Sequence, residues 1–421
     1  MELPVAIVGA GVAGLSAAGK LLAAGIEPLI LEAGDRLGGR VRALEGFADF
    51  PVELGAEEMH GADNFLIRMA GDAGIEHLQH FTTDDMVRLD GELCFLDQAG
   101  KDEDIKRAFD LIEGLGTYSG GNWTVREHLV RNHFPRRTWH YLDSRLGVEH
   151  GTTLERLAMR GFLHYEKGWE ARETNYTLKG GYLDLFRPLI TKLEGRVILN
   201  SPVQSIDWRG TPILRAEDGR EWRARAVIVT ASLLVLRNGL IAFDPVLPAE
   251  KIAAMRAIGM DGGMKIILKF HHRFWDERMY FLHTDGFLPQ YWAAGKGKSE
   301  ASHVLTAFVG GARAEELATM QVDPVRFALE ELDELFGSNL ASRSFENGFV
   351  ADWSADPYVR GLYSYPTKST TEADRHALAR SLESRLFFAG EATDTEGHSG
   401  TVHGAMATGW RAAEEVIAVL G

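Results

Sequence analysis

The run Gly9-Ala10-Gly11-Val12-Ala13-Gly14 constrains this chain more than any other feature. It follows Val5-Ala6-Ile7-Val8, a short apolar stretch that reads as a buried strand. It precedes a small-residue helix expected over Leu15 to Ala24 and closed by Gly25. A second buried strand is expected over Pro28-Leu29-Ile30-Leu31-Glu32, so the segment reads as a βαβ unit. In that context Gly9 makes a tight turn, Gly11 lets a pyrophosphate approach the backbone, and Gly14 lets the helix pack on the strand. The helix N-terminus offers N–H groups and the positive end of its dipole to phosphates. Glu32 stands at the spacing expected for a carboxylate that holds ribose hydroxyls, and an acid there disfavours a 2′-phosphate. Turn, helix and acid together point to a bound dinucleotide.

Composition sets the outer limits. The 421 residues leave room for two domains, and the formal charge of −15 argues against nucleic acid or an anionic membrane as partner. Cys94 is the one cysteine, which excludes an internal disulfide and a cysteine-built metal site and fits a reducing compartment. No signal-like segment precedes the first strand, and no apolar run approaches the ~20 residues that span a bilayer. A cytoplasmic protein is expected, with a homodimer left open. No metal is expected. His128 and His133 lack the spacing of a zinc-binding helix, and His271-His272 are adjacent.

Further apolar strands are expected at Arg196-Val197-Ile198-Leu199, Val203 to Trp208, Ala226 to Thr230 and Leu386 to Gly390, with a hairpin signal at Asp218-Gly219. A last helix is expected over Ala405 to Leu420. Residues 62–175 read as helical in patches, and 240–370 as mixed. Strands of nucleotide-binding type thus recur at the start, middle and end. The expected fold is α/β: a Rossmann-like domain from 1–61, 176–240 and 375–421, with a discontinuous α+β substrate-binding domain from 62–175 and 241–374.

After Glu32 comes Ala33-Gly34-Asp35-Arg36-Leu37-Gly38-Gly39-Arg40, which resembles the extended FAD fingerprint of amine oxidases and related flavoproteins. Other blocks are similar to the flavin-containing amine oxidoreductases, in the same order. They are Glu53-Leu54-Gly55-Ala56-Glu57-Glu58-Met59-His60-Gly61, Asn200 to Ile206, Phe243 to Pro248, Met264 to Phe270, Trp353 to Tyr358, Gly361 to Tyr365, and Phe387 to Glu391 with Gly400 to Ala405. The likeness is strong over 1–61, 176–280 and 350–415 and weak over 62–175 and 281–349.

The resemblance implies FAD, held by Gly9, Gly11, Ala13, Gly14, Glu32 and Ala33. Gly39, Arg40, Gly55 and Ala56 are implied beside it, with Arg40 on the pyrophosphate. The Val203 backbone would read the adenine, Gly390 and Glu391 the ribityl or ribose region, and Thr401 and Val402 the flavin end. Leu362 stands where monoamine oxidases carry the cysteine that binds flavin covalently, so non-covalent FAD is implied.

For catalysis, Lys265 sits in an otherwise apolar strand, where it is either a lysine snorkelling from a sheet edge or, by resemblance, the residue that holds a water against the flavin. Trp353 resembles the residue packed near the flavin, and Tyr363 one wall of an aromatic cage whose other wall is here Thr401. That half-cage resembles polyamine oxidases and histone lysine demethylases rather than monoamine oxidases. His60 matches a substrate-facing histidine, and Glu57 and Glu58 are either a pair that attracts a second ammonium or a solvated pair. The implied activity is oxidation of a polyamine, secondary or primary amine, with oxygen as acceptor and hydrogen peroxide as product. The rivals are an L-amino acid oxidase, with Arg172, Arg273 or Arg313 on the substrate carboxylate, a desaturase, or a flavin-binding protein without turnover.

Overall fold

The computed structural model describes residues 2–61, 64–163 and 174–421; Arg172 lies outside them. The chain divides into two compact units, each assembled from separated segments. The first comprises Met1–Arg42, Leu183–Met260 and Asp356–Gly421, and the second Ala43–Tyr182 and Asp261–Ala355. The seams differ from those expected after residues 61, 175, 240 and 374, for reasons of pairing. Ala242–Asp244 joins a sheet beside Val203–Asp207, which carries it into the first unit. Met59–His60 pairs with Thr174–Leu178, which keeps it in the second.

The first unit is built on five parallel strands in the order Val197–Ile198, Pro28–Leu31, Val5–Val8, Val227–Val229, Leu386–Phe388. We call Val5–Val8 β1, the helix Val12–Ala23 α1 and Pro28–Leu31 β2. The continuous apolar run of β1 follows from burial on both faces. Val5 and Ile7 pack with Leu15, Leu21, Phe387 and Val416, whereas Ala6 and Val8 pack with Val227, Val229 and Phe388. Each fully buried Val, Ile or Leu side chain contributes ~1.5–3 kcal/mol. The last helix, Val402–Leu420, lies against α1 so closely that a Cβ on Gly409 would meet the Ala13 carbonyl oxygen at 2.2 Å. It starts before the expected Ala405, because Thr401 caps it. The Thr401 hydroxyl accepts from the Gly404 N–H at 3.0 Å and donates to the His398 carbonyl at 2.7 Å. The hairpin signalled by Asp218-Gly219 joins Ile213–Ala216 to Glu221–Arg223.

The second unit carries a seven-stranded sheet in the order Phe345–Asp352, Gly263–Phe270, His303–Gly310, Gln290–Ala293, Phe281–His283, Met86–Leu89, Glu92–Phe95. One face is apolar: Met264, Ile266, Leu268, Leu305, Ala307 and Val309 pack against the helices Ala312–Thr319 and Pro324–Phe336. Period-two alternation turns Lys265, Trp292, Thr306 and Phe308 to the other face. Strands at His77–Phe81, Met86–Leu89 and Glu92–Phe95 correct the helical reading of 62–175. Among the described residues, no helix is long and apolar enough to cross a membrane.

Candidate active site

The residues singled out in the sequence fall into two groups, one in each unit. In the first unit the glycine turn lies between β1 and α1. A Cβ on Gly14 would sit 2.0 Å from the Gly9 carbonyl oxygen, so no larger residue fits while the helix stays seated on the strand. Gly39 has φ +59°, and a Cβ there would approach the Gly11 Cα at 3.1 Å. The second glycine segment is thereby laid against the first, and Gly38 donates its N–H to the Ala10 carbonyl. The N-cap of α1 is Gly11, no side chain caps that end, and no acid lies in its first turn. An uncapped helix start beneath bare glycine backbone suits a pyrophosphate. Glu32 is fixed beside it, accepting from the Ala10 N–H at 2.6 Å and the Gly34 N–H at 2.8 Å, with Ala33 between its own anchor points. Two acceptor bonds leave a carboxylate further lone pairs for hydroxyls. These residues fit a dinucleotide.

Arg40 and Glu391 are partners, which neither sequence motif indicates. The Arg40 guanidinium donates to Glu391 Oε1 at 3.0 Å and to the Leu362 carbonyl at 2.5 Å. The Glu391 carboxylate also accepts from the Ser364 hydroxyl at 2.7 Å, the Ser364 N–H and the Gly400 N–H at 2.8 Å. Burial opposes its charge, yet Arg40, Ser364 and Arg375 hold its pKa below the usual carboxylate range. Glu391 therefore ties together Arg40, the Leu362–Ser364 segment that contains Tyr363, and the Gly400-Thr401-Val402 turn. Gly390 precedes it with φ +120° and donates to Thr408 Oγ1 at 3.0 Å. Val203, buried, opens the Val203–Asp207 strand of the neighbouring four-stranded sheet.

In the second unit Lys265 is 6% exposed and lies on an interior strand, paired on both sides by Phe345–Asp352 and His303–Gly310. A lysine snorkelling from a sheet edge is therefore excluded. Its Nζ donates to Glu57 Oε2 at 2.9 Å and to the Glu53 carbonyl at 3.1 Å, and lies 4.8 Å over the Trp292 ring. The Trp292 indole donates to the same Glu57 oxygen at 3.1 Å. Lys298 Nζ stands 3.9 Å from Glu57 Oε1. Trp353 donates its indole N–H to the Leu54 carbonyl at 2.8 Å. The Glu53–Glu57 segment, with Gly55 and Ala56 at its centre, is thus pinned at both ends to the large sheet.

The adjacent acids, read as a solvated or substrate-attracting pair, have separate fates. Glu57 is buried against two lysines; burial resists its ionisation, but Lys265 and Lys298 bring its pKa below the usual range. Glu58 meets the Tyr280 hydroxyl at 3.2 Å, and burial, with Glu149, Glu57 and Asp85 nearby, pushes it up to about 8. Burial and the Glu57 charge push Glu53 up to about 7, although it accepts from the Tyr182 N–H at 2.6 Å. His60 shares a 2.8 Å hydrogen bond with Asn175 through Nδ1, and burial lowers its pKa. Glu53 opens a family-like block but carries no role of its own in the sequence, and Trp292 and Lys298 are not marked there at all. Nothing local signals them: Gly295-Lys296-Gly297-Lys298-Ser299 reads as a solvated loop. Of the arginines considered for a substrate carboxylate, the two described are engaged, Arg273 with Glu277 at 3.0 Å and Arg313 with Asp143 at 2.5 Å. Among the described residues, no group of three His, Cys, Asp or Glu side chains could hold a metal.

Comparison with known proteins agrees with this geometry. The family described as flavin containing amine oxidoreductase matches residues 12–417. The human peroxisomal N(1)-acetyl-spermine/spermidine oxidase is 27% identical, over 99% of this chain and 95% of its own length. The human lysine-specific histone demethylase 2 is also 27% identical over 98% of this chain, which spans only 53% of that protein. Among solved structures, cyclohexylamine oxidase from Brevibacterium oxydans superimposes with a TM-score of 0.83 at 20% identity, covering 100% of both chains. The chain belongs to the flavin-containing amine oxidoreductases and is an FAD-dependent oxidoreductase whose cofactor is bound non-covalently.

Proposed function

We propose that this enzyme oxidises a small amine, of polyamine, secondary or primary type, to an imine that hydrolyses to an aldehyde and a smaller amine or ammonia. When bound, FAD supplies the acceptor for the hydride equivalent leaving the carbon next to nitrogen. Atoms balance with one amine, one oxygen and one water giving aldehyde, the released amine or ammonia, and hydrogen peroxide. The observation that carries the reading is Lys265, a charged side chain inside a central strand, fixed by Glu57 and the Glu53 carbonyl. Burying such a group is expensive unless it serves a purpose.

The roles follow from chemistry and resemblance. Lys265 holds a water molecule at the cofactor. Tyr363 and Trp353 supply aromatic surface, with Thr401 opposite Tyr363; a desolvating aromatic wall favours the uncharged amine, the only form that can release hydride. His60, whose pKa burial lowers, acts as a neutral hydrogen-bonding imidazole. The glycine turn, Glu32, Ala33, Gly39 and Arg40 hold the dinucleotide half of FAD, and Val203, Gly390 and Val402 contribute backbone. The relatives named as an N(1)-acetyl-spermine/spermidine oxidase and a cyclohexylamine oxidase support the substrate class.

The test is anaerobic mixing of the holoenzyme with a panel of amines, read by loss of the visible absorbance of the oxidised flavin. We expect bleaching by at least one amine and hydrogen peroxide on readmission of oxygen. Bleaching by free amino acids alone would transfer the enzyme to the amino acid oxidases. In Lys265→Met we expect reoxidation to slow at least about tenfold, below the ~10²–10⁴-fold typical of a positioned acid–base group; unchanged bleaching and reoxidation would remove Lys265 from the reaction.

A further inference from the structure

Glu57 is the side chain whose surroundings the family resemblance leaves unexplained. Its carboxylate is buried, and its Oε2 receives both the Lys265 ammonium at 2.9 Å and the Trp292 indole at 3.1 Å. Its Oε1 is buried with no hydrogen-bond partner among the described residues, and the Lys298 ammonium stands 3.9 Å away. The Lys298 side chain is itself only 3% exposed. Two buried ammonium groups thus share one carboxylate. The other acids close by meet other donors: Glu53 accepts from the Tyr182 N–H and Glu58 from the Tyr280 hydroxyl.

The geometry also makes Glu57 the hub of elements far apart in sequence. Lys265 comes from the strand Gly263–Phe270, Trp292 from Gln290–Ala293, and Lys298 from the loop after it. The lysine stem has four rotatable carbons and a rotating donor head, so burial alone does not fix Nζ. A carboxylate approached from one side by Trp292 and from the other by Lys298 is itself fixed, and it hands that fixed position to Nζ.

We infer that Glu57 is a positioning residue for Lys265, its charge holding Nζ in place while Lys298 and Trp292 brace the carboxylate. The inference rests on the proposed role of Lys265, and it concerns charge rather than shape. Glutamine at 57 keeps the size and the hydrogen-bonding oxygen but loses the charge; aspartate keeps the charge and loses length. A role in filling space therefore ranks Glu57→Gln above Glu57→Asp, and a charge role ranks them the other way.

The experiment has two arms. In the holoenzyme, flavin reoxidation after anaerobic reduction is followed for wild type, Glu57→Gln, Glu57→Asp and Lys265→Met. We expect Glu57→Gln to fall about tenfold, towards Lys265→Met, and Glu57→Asp to recover at least about a third of the wild-type rate. Glu57→Gln at the wild-type rate, or above Glu57→Asp, overturns the inference even if Lys265→Met is slow. Lys265→Met at the wild-type rate instead overturns the proposed role of Lys265. The second arm is thermal melting of the holoenzyme, read by circular dichroism, which needs no turnover. Glu57→Gln strands two buried cations and should lower the Tm by at least about 4 °C. In a Lys265→Met background the same substitution should cost less than half as much. Equal costs in both backgrounds overturn the coupling of Glu57 to Lys265, whatever Lys265 does in the reaction.

Discussion

Two buried carboxylates, Glu391 in the first unit and Glu57 in the second, are each paired with a cation remote in sequence, yet they are used differently. Both oxygens of Glu391 are occupied by Arg40, the Ser364 hydroxyl and backbone N–H groups of Ser364 and Gly400. It binds loop backbone to loop backbone, and most of its donors are neutral. Glu57 has side-chain donors only, two of its three neighbours are ammonium groups, and one oxygen has no hydrogen bond among the described residues. The first arrangement fixes a scaffold. The second gathers two ammonium groups around one carboxylate, the arrangement from which the positioning of Lys265 is inferred.

Removing Glu391 gives the largest effect if that contrast is right. Glu391→Ala leaves Arg40, the Ser364 hydroxyl and two amides without their acceptor, at a cost of about 3–5 kcal/mol. We expect a large fall in Tm together with protein purified poor in FAD, read from the ratio of flavin to protein absorbance. A variant with normal Tm and full FAD would erase the distinction between the two carboxylates.

A subtler test uses Glu53 as a foil for Glu57. Burial raises Glu53 to about 7, so between the unfolded value of 4.5 and that pH the folded state binds the extra proton. Stability from this group is complete below about pH 4.5 and drains away as pH rises through 7, by about 3 kcal/mol in total. Glu57 has the opposite sign: its pKa is lowered, so its contribution is present above 4.5 and lost as pH falls. Glu53→Gln should therefore gain Tm relative to wild type at pH 8 and gain little at pH 5. Melting curves at both pH values decide it; an equal shift at the two would show that Glu53 is not the group that titrates.

The smallest effect belongs to Thr401. Its hydroxyl caps the final helix, so Thr401→Ala should cost about 1 kcal/mol of stability, and Thr401→Ser should restore it. If KM for the amine moved in Thr401→Ala while Tm did not, the hydroxyl would be serving substrate rather than helix.

Much of the first unit was legible from local sequence. β1, α1 and β2, the glycine turn, the Val227–Val229 and Leu386–Phe388 strands and the Asp218-Gly219 hairpin lie where apolar runs and turn residues place them. These features depend on short-range sterics and burial on both faces, which contiguous residues record. The strands Met86–Leu89 and Glu92–Phe95 did carry one local signal, Asp90-Gly91 with φ +53° and +89°, but charged residues blurred their alternation.

The sequence by itself determined a nucleotide-binding α/β scaffold, the non-covalent flavin family and Lys265 as the residue out of place among apolar neighbours. Only the tertiary structure decided what holds that lysine. Glu57 meets Lys265 across 208 residues and Trp292 across 235, and Lys298 approaches the same carboxylate. The physical reason is that a buried ion pair is set by which strands lie side by side, and strand order follows from packing of the whole sheet. The same holds for Arg40 and Glu391, 351 residues apart, whose pairing no local motif signals.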